Sequence, residues 1–258
     1  MSPPLDRRAW LRAGLTGALG LAAGACDRIT GSPAVNGVLD GAETLNRRLQ
    51  GLLVGRSALA REYPASAISP DFRANGTTDP DSDAYRALAA NGFKDWRLQI
   101  GGLVDRPLSL SLDELRAAPA RSQVTRHDCV EGWSGIAGWR GARLGPLLER
   151  AGIKPQARYI AFFCADTLEM TLDGTGDYYE TIALADAHHP QTILAYEMNG
   201  QALPVAHGAP IRLRLERQLG YKMAKYVMRI EAVDGFDKLG RGKGGYWEDR
   251  GYQWYAGI

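Results

Sequence analysis

Residues 124–148 read VTRHDCVEGWSGIAGWRGARLGPLL, and the reading of the chain starts from them. The stretch holds Cys129, with Arg126 and His127 before it and Glu131 and Trp133 after it. A thiol beside cationic groups favours its thiolate, the form that binds metal or attacks. A structural cysteine sits among apolar neighbours and needs no basic company. Residues 121–128 are expected as the strand that delivers Cys129 at its end. A Gly-rich turn then leads into a short apolar helix over residues 143–151, stopped by Gly152.

On either side of this stretch, strands alternate irregularly with short helices, and several connections are long loops. That pattern points to a mixed α+β fold and away from a doubly wound sheet. Residues 96–100 alternate like a strand, broken by Gly101-Gly102. Ser111-Leu112-Asp113-Glu114 has the spacing of a capping box and opens a short helix to about residue 118. Residues 159–163 read as a buried strand ending at Cys164-Ala165-Asp166. A Gly-rich turn over 173–177 leads to Tyr178-Tyr179-Glu180-Thr181-Ile182, and a helical piece follows at 183–187. Residues 192–197 form a strand turned by Asn199-Gly200, and 226–233 close the domain. Upstream, Leu39, Leu45, Leu49, Leu52, Leu53 and Leu59 recur at helical spacing, which predicts an amphipathic helix over 39–60. Residues 63–80, rich in Pro, Gly, Asn, Ser and Asp, read as an irregular ordered loop of the kind that carries function.

The composition excludes several classes. The 258 residues are 45% hydrophobic and 23% charged, ordinary for a soluble globular protein. The formal net charge of +2 equals that of residues 1–25, where Arg7, Arg8 and Arg12 face only Asp6. The rest is near neutral, so no nucleic-acid partner is expected. Three cysteines cannot make a disulfide framework, and no C-x-x-C-H encodes an attached haem. Residues 5–12, LDRRAWLR, match a twin-arginine export pattern, and the apolar run that follows over 15–25 is too short to span a bilayer. That route carries folded proteins, as a cofactor inserted before export requires. Ala23-Gly24-Ala25-Cys26 leaves two alternatives, a lipid on Cys26 or plain cleavage near Ala25. The expectation is a periplasmic protein that meets the membrane only through a lipid on Cys26. The chain divides into a signal segment at 1–25, linker and helix at 26–62, a domain at 63–236, and a Gly- and aromatic-rich tail at 237–258. The tail follows no strand-to-helix transition, which excludes its glycines as a dinucleotide loop, and it is expected to wrap over the domain.

A second informative block runs from His207-Gly208-Ala209-Pro210-Ile211-Arg212 to Gly220-Tyr221-Lys222-Met223-Ala224-Lys225. Arg212, Lys222 and Lys225 with exposed backbone N–H groups at a Gly turn suit a phosphate; a basic surface hairpin is the plainer alternative.

Together these blocks carry a resemblance. Cys129-Val130-Glu131-x-Trp133-Ser134 resembles the molybdenum-binding signature of the sulfite oxidase superfamily. Ala195-Tyr196-Glu197-Met198-Asn199-Gly200, Leu203-Pro204, His207-Gly208-x-Pro210-x-Arg212 and Gly220-x-Lys222-x-x-Lys225 resemble its second signature, in the same order. The resemblance implies a compact mixed α+β domain of the sulfite oxidase molybdopterin-binding type. Cys129 would be the protein ligand of a mononuclear molybdenum. Arg73, Ala74, Asn75, Cys164, His207, Arg212, Lys222, Met223, Ala224 and Lys225 would hold the molybdopterin, and Tyr178 falls where the family places an active-site tyrosine. Arg126, His127 and Arg212 would give a positive field for an oxyanion or a sulfoxide oxygen. Glu131 would move a proton or pair with a nearby arginine. The Cys129 block is of the form found in the family's periplasmic reductases, whereas His207 matches its sulfite-oxidising branch. The implied activity is oxygen-atom transfer coupled to two-electron redox. The implied electron partner is a separate cytochrome or membrane haem subunit, since no haem is expected in this chain. Only 25 residues follow Val233, too few for the family's immunoglobulin-like domain. Two readings compete: a non-catalytic exported or lipid-anchored binding protein that uses the fold without the metal, and a cysteine hydrolase, for which no oxyanion turn is in view.

Overall fold

The computed structural model describes residues 58–258, together with Gly41, Leu45 and Gly55. The twin-arginine segment, Cys26 and the linker lie outside the described residues. Gly41 and Leu45 have helical backbone, but Gly55 and residues 58–60 do not. The helix expected over 39–60 therefore ends short of residue 60. Its expected last turn is instead an extended segment whose backbone is already paired. Ala60 exchanges hydrogen bonds with the Gln191 side chain at 2.7 and 3.0 Å, and the Ala58 carbonyl meets His189 Nε2 at 3.1 Å.

Two sheets organise residues 56–258. The first has the order β2-β1-β10-β5-β6, from β1 (Arg97–Gly102), β2 (Leu108–Ser111), β5 (Tyr159–Thr167), β6 (Asp177–Ala183) and β10 (Val227–Val233). It is mixed, because β1 and β10 run parallel while the other pairs are antiparallel. The second has the order β3-β4-β7-β8, from β3 (Ala120–Asp128), β4 (Ser134–Arg143), β7 (Ile193–Met198) and β8 (Gln201–Ala202), and β9 (Arg212–Arg214) also pairs with β7. The helices are short: α1 (Asp83–Ala90), α2 (Leu112–Ala117), α3 (Leu144–Ala151) and α4 (Leu184–Ala187). The architecture is the expected α+β. Among the described residues no helix is long and apolar enough to cross a membrane.

Local chemistry explains the elements. Ser111 caps α2 through the Glu114 N–H, and Glu114 returns the bond to the Ser111 N–H, completing a capping box. Gly152 ends α3 in the left-handed region at φ 72°. Leu144, Leu147, Leu148 and Ala151 of α3 join Leu98, Ile100, Ile160, Phe162, Leu194, Leu213 and Ile230 in one apolar cluster drawn from both sheets. Burying each such leucine or isoleucine contributes about 1.5–3 kcal/mol.

Three local expectations need correction. The Gly-rich stretch after Cys129 is not a turn running into the helix but a ten-residue strand, β4. Gly135, Ala137, Trp139 and Gly141 form its buried face, so the alternation was present but, apart from Trp139, written in small residues. Gly101-Gly102 does not break β1: both pair with β10, and Gly102 lies where any Cβ would collide with the Ala232 backbone. Helix α1, capped by Ser82, and strand β2 were not anticipated.

Candidate active site

Cys129 follows β3 directly and sits in a tight turn to β4. Its N–H donates to the Trp133 carbonyl at 2.9 Å, and its carbonyl accepts from Gly132 at 3.0 Å. Gly132 has φ 85°, which glycine alone adopts without strain. The loop 63–77 is laid against the same two strands. Tyr63 donates to the Val124 carbonyl, Ser69 donates to the Ile136 carbonyl, and the Ile136 N–H returns to Ser69 Oγ, each at 2.9 Å. Phe72 then packs on the bare backbone of Gly135. Its ring meets those of His127, Trp133, Trp139 and His207 at 5.6–6.2 Å. Asn75 is delivered to the thiol, with its Nδ2 donating to Cys129 Sγ at 3.5 Å.

The second block closes the other side. Arg212 in β9 donates to the carbonyls of His207 (3.1 Å) and Met223 (3.4 Å) and lies 5.2 Å over Trp139. Lys225 Nζ donates to the carbonyls of Asn75 (2.8 Å), Ala206 (3.2 Å) and Thr77. The result is a cavity of about 340 Å³ shared by Cys129, the 72–77 loop, His127, His207, Arg212, Met223, Lys225 and Tyr178, with Trp133, Tyr221, Trp247 and Tyr252 among its aromatic lining.

Its electrostatics are those of a site built for an anion. Burial and then the neighbouring Arg214 push Arg212 down to about 9. Burial and then Arg212 push Lys225 down to about 7. His207 is lowered by burial and by both cations. Burial raises the Asp166 carboxyl, which also lines the cavity, to about 6. Arg212 Nε, His207 Nδ1 and Asp166 Oδ1 are buried without a hydrogen-bond partner. Buried donors are normally satisfied, and an arginine with an unused N–H beside a second buried cation fits a phosphate or another oxyanion.

Ten of the fifteen residues expected at the site line this cavity: Cys129, Tyr178, Glu131, His127, Arg73, Asn75, His207, Arg212, Met223 and Lys225. Five do not. Lys222 is fully buried between Glu180 and Glu248, each at 2.5 Å, and its charge is taken up there, outside the cavity. Arg126 alternates to the other face of β3 and pairs with Asp128 at 2.9 Å. Cys164 pairs with Val227 inside the first sheet, and burial pushes its thiol up. Ala74 and Ala224 flank cavity residues without lining it. His127 is also corrected in character, since burial and the adjacent Arg214 hold it well below the usual histidine range. It is neutral and adds nothing to a positive field. Glu131 lies 3.9 Å from Arg73 and accepts from Trp133 Nε1 at 3.3 Å, the arginine pairing foreseen as its alternative role. Cys129 and Cys164 are both free thiols. Sequence reasoning missed Asp166, Thr77 and the aromatic lining from Trp247 and Tyr252. The aromatic run of the tail was the available signal.

The donor set fits a molybdenum cofactor. A free thiol suits a soft metal, and Arg212, with its unused Nε donor beside Lys225, suits the anionic part of a pterin. Gly208 lets Lys225 and Arg212 approach, because a Cβ there would press on Lys225 Cβ at 2.9 Å and Arg212 Cβ at 3.2 Å. The comparisons with known proteins agree. The family described as "Oxidoreductase molybdopterin binding domain" matches residues 87–238. The putative protein-methionine-sulfoxide reductase subunit YedZ1 of Azospira oryzae is 38% identical over 97% of this chain and 87% of its own length. The protein-methionine-sulfoxide reductase catalytic subunit MsrP of Campylobacter jejuni is 33% identical over 70% of this chain and 69% of its own. MsrP of Xanthomonas axonopodis is 34% identical over 59% of this chain, which spans 49% of that relative. The thiol-bearing turn, the cationic cavity and these matches lead to one conclusion: this chain belongs to the molybdopterin-binding oxidoreductases of the sulfite oxidase type.

Proposed function

We propose that the chain is the catalytic subunit of an exported sulfoxide reductase, using a mononuclear molybdenum held by Cys129. The observation that carries this is the cavity itself, which joins a free thiol to buried Arg212 with its unused Nε donor, beside Lys225. Bound there, the cofactor would supply the two-electron change and the oxygen-atom transfer. The chain's own residues then have separable tasks. Cys129 would hold the metal. Arg212, Lys225 and His207 would hold the anionic part of the pterin, with Asn75 steadying the ligand sulfur at 3.5 Å. The Tyr178 hydroxyl donates to the Tyr221 carbonyl at 2.5 Å, and burial keeps it protonated, so it orients the 220–223 loop. Trp133, Trp247 and Tyr252 would exclude water around the reacting oxygen.

Sulfoxide is favoured because the relatives are methionine sulfoxide reductase subunits and the Cys129 block is of the reductase form. His207 favours a second reading, sulfite oxidation, and assays with each substrate and an artificial electron carrier separate the two. Reducing equivalents would come from a separate haem-bearing subunit. The twin-arginine segment and Cys26 would place the chain in the periplasm, with a lipid anchor read out by mass spectrometry of the mature amino terminus.

The deciding experiment is metal analysis of the wild type and Cys129→Ser, purified from a host that makes the cofactor. Stoichiometric molybdenum with sulfoxide turnover, both lost in Cys129→Ser, supports the proposal. Unchanged turnover in the variant removes Cys129 as ligand, and a molybdenum-free wild type turns the reading to a binding protein.

A further inference from the structure

A buried pair behind the cavity wall fixes His127. Arg214 is fully buried in β9. Its Nε and Nη2 donate to Glu216 at 2.9 and 2.6 Å, and its Nη1 lies 3.1 Å from His127 Nδ1. The guanidinium lies 4.3 Å over the Trp139 ring. Glu216 is held in turn by Gln123 Nε2 at 2.8 Å, and the same amide meets the Gln191 carbonyl at 3.0 Å. The Arg214 plane is thus set by a bidentate carboxylate and an aromatic face, and its remaining nitrogen, Nη1, is aimed at His127.

Guanidinium groups only donate, so Nδ1 of His127 must accept. An imidazole that accepts at Nδ1 carries its proton on Nε2. Among the described residues that Nε2 has no hydrogen-bond partner, and the ring lines the cavity two residues from Cys129. Gly220 lies against the same edge with bare backbone: a Cβ there would collide first with Nε2 itself and lie 2.5 Å from Cε1, so glycine is what leaves room for an N–H at Nε2.

We propose that Arg214 locks His127 as the neutral Nε2–H tautomer, and that this N–H is a hydrogen-bond donor for an acceptor atom bound in the cavity, on the cofactor or on the substrate oxygen. The proposal rests on the cavity being the reaction site. Arg214 and Glu216 are positioning residues; His127 makes the contact.

The first test is the tautomer, read in full-length protein carrying its cofactor by two-bond proton–nitrogen correlation of labelled histidine. The chain has four histidines, and the His127 signal is identified as the one absent from His127→Leu. The Nε2–H pattern is expected; an Nδ1–H or imidazolium pattern overturns the proposal. In Arg214→Met/Glu216→Met an apolar pair replaces the ion pair, a change such sites often tolerate. There the His127 signal should become a tautomer mixture, and an unchanged pattern overturns the role of Arg214. If that variant fails to fold, Arg214→Lys keeps a charged donor beside Glu216 and should keep the tautomer.

Function provides the second test. His127→Leu should lose about 100-fold in kcat/KM, the scale of one preorganised donor, whereas His127→Gln, which keeps an N–H near the Nε2 position, should lose less than about ten-fold. Loss of molybdenum in His127→Leu assigns the acceptor to the cofactor, and retained molybdenum with altered kinetics assigns it to the substrate. Equal loss in Leu and Gln, or none in either, overturns the proposal. A molybdenum-free wild type would remove the proposed function while leaving the tautomer readout intact.

Discussion

Lys222 and Glu248 meet at 2.5 Å in the interior, and Lys222 reaches Glu180 at the same distance, with all three side chains no more than 1% exposed. The contact joins the turn Gly220–Lys222 to β6 and to the turn Glu248–Arg250 of the tail. Around it the tail is fastened again: Asp249 accepts from Tyr179 Oη at 2.8 Å, and Arg250 pairs with Glu169 at 2.6 Å. The tail residues Trp247 and Tyr252 line the cavity. An ionic clasp outside the cavity therefore positions part of its wall. Burial holds the Glu180 carboxyl well above the ordinary carboxylate range, as expected where two acids share one ammonium.

Lys222→Met removes the shared cation and leaves two buried acids, so the loss of stability should be about 3–5 kcal/mol. Glu248→Gln keeps a hydrogen bond to the ammonium and should cost less. Thermal unfolding of the two variants checks the ranking, and a wild-type melting temperature in Lys222→Met would show that the clasp is dispensable.

Asp166 and Lys225 contribute opposite slopes to the pH profile of the cofactor-free protein. Asp166 titrates at about 6 in the fold against 3.8 ordinarily. Between those values the folded state keeps a proton that the unfolded chain has released, so this contribution falls as pH rises through the window, by about 3 kcal/mol in all. Lys225 titrates at about 7 against 10.5. Above pH 7 the unfolded chain holds the extra proton, so the Lys225 contribution grows as pH rises. Burial holds His127 and His207 below the usual histidine range, so at acid pH their contribution rises with pH and opposes that of Asp166. Comparison with Asp166→Asn isolates the carboxyl: urea unfolding of cofactor-free protein at about pH 5 and 6.5 should find the wild type losing stability relative to the variant as pH rises. A constant difference between the two would contradict the burial of Asp166.

Gly141 sits at the register shift between β4 and β7, where an added Cβ would come within 2.5 Å of the Leu194 carbonyl carbon and 2.6 Å of the Ala195 Cα. Those atoms are backbone and cannot rotate away. Gly141→Ala should force the strands apart and be far more damaging than Gly132→Ala, where a Cβ meets open space and only the positive φ is strained. Soluble yield and melting temperature of the two variants test the order.

What the sequence revealed and concealed follows one physical line. Cys129, Arg212, Lys225 and His207 were legible because soft-metal and anion chemistry demand particular residue types. The capping box at Ser111, the Gly152 stop and the Asn199-Gly200 turn were legible because their chemistry is local. Strand β4 was hidden because three of its four inward residues, Gly135, Ala137 and Gly141, are small, which suits the close approach of Phe72 and β7, and only Trp139 is large and apolar. Lys222 and Lys225 stand three apart in one basic block, yet one is clasped in the interior and the other lines the cavity. Glu180 and Glu248, both distant in the chain, tell them apart. Asp166 escaped notice because a carboxylate among cations is recognisable only once the cations are in place.

Gly220 tests whether the cavity wall or His127 is the stiffer partner. An added Cβ would lie 2.5 Å from His127 Cε1 and 3.4 Å from the Asp128 carbonyl. Either the imidazole turns and breaks its 3.1 Å contact with Arg214, or the 220–223 segment moves outward. The imidazole reaches its buried ion pair through one 3.1 Å contact, whereas the segment is anchored in the interior by Lys222 between Glu180 and Glu248. The imidazole should therefore yield and lose its contact with Arg214. Gly220→Ala is expected to lose about 1–3 kcal/mol of stability, the usual cost of overpacking, and to turn the His127 signal into a tautomer mixture. An unchanged tautomer with less bound molybdenum would reverse the assignment and make the segment the yielding side.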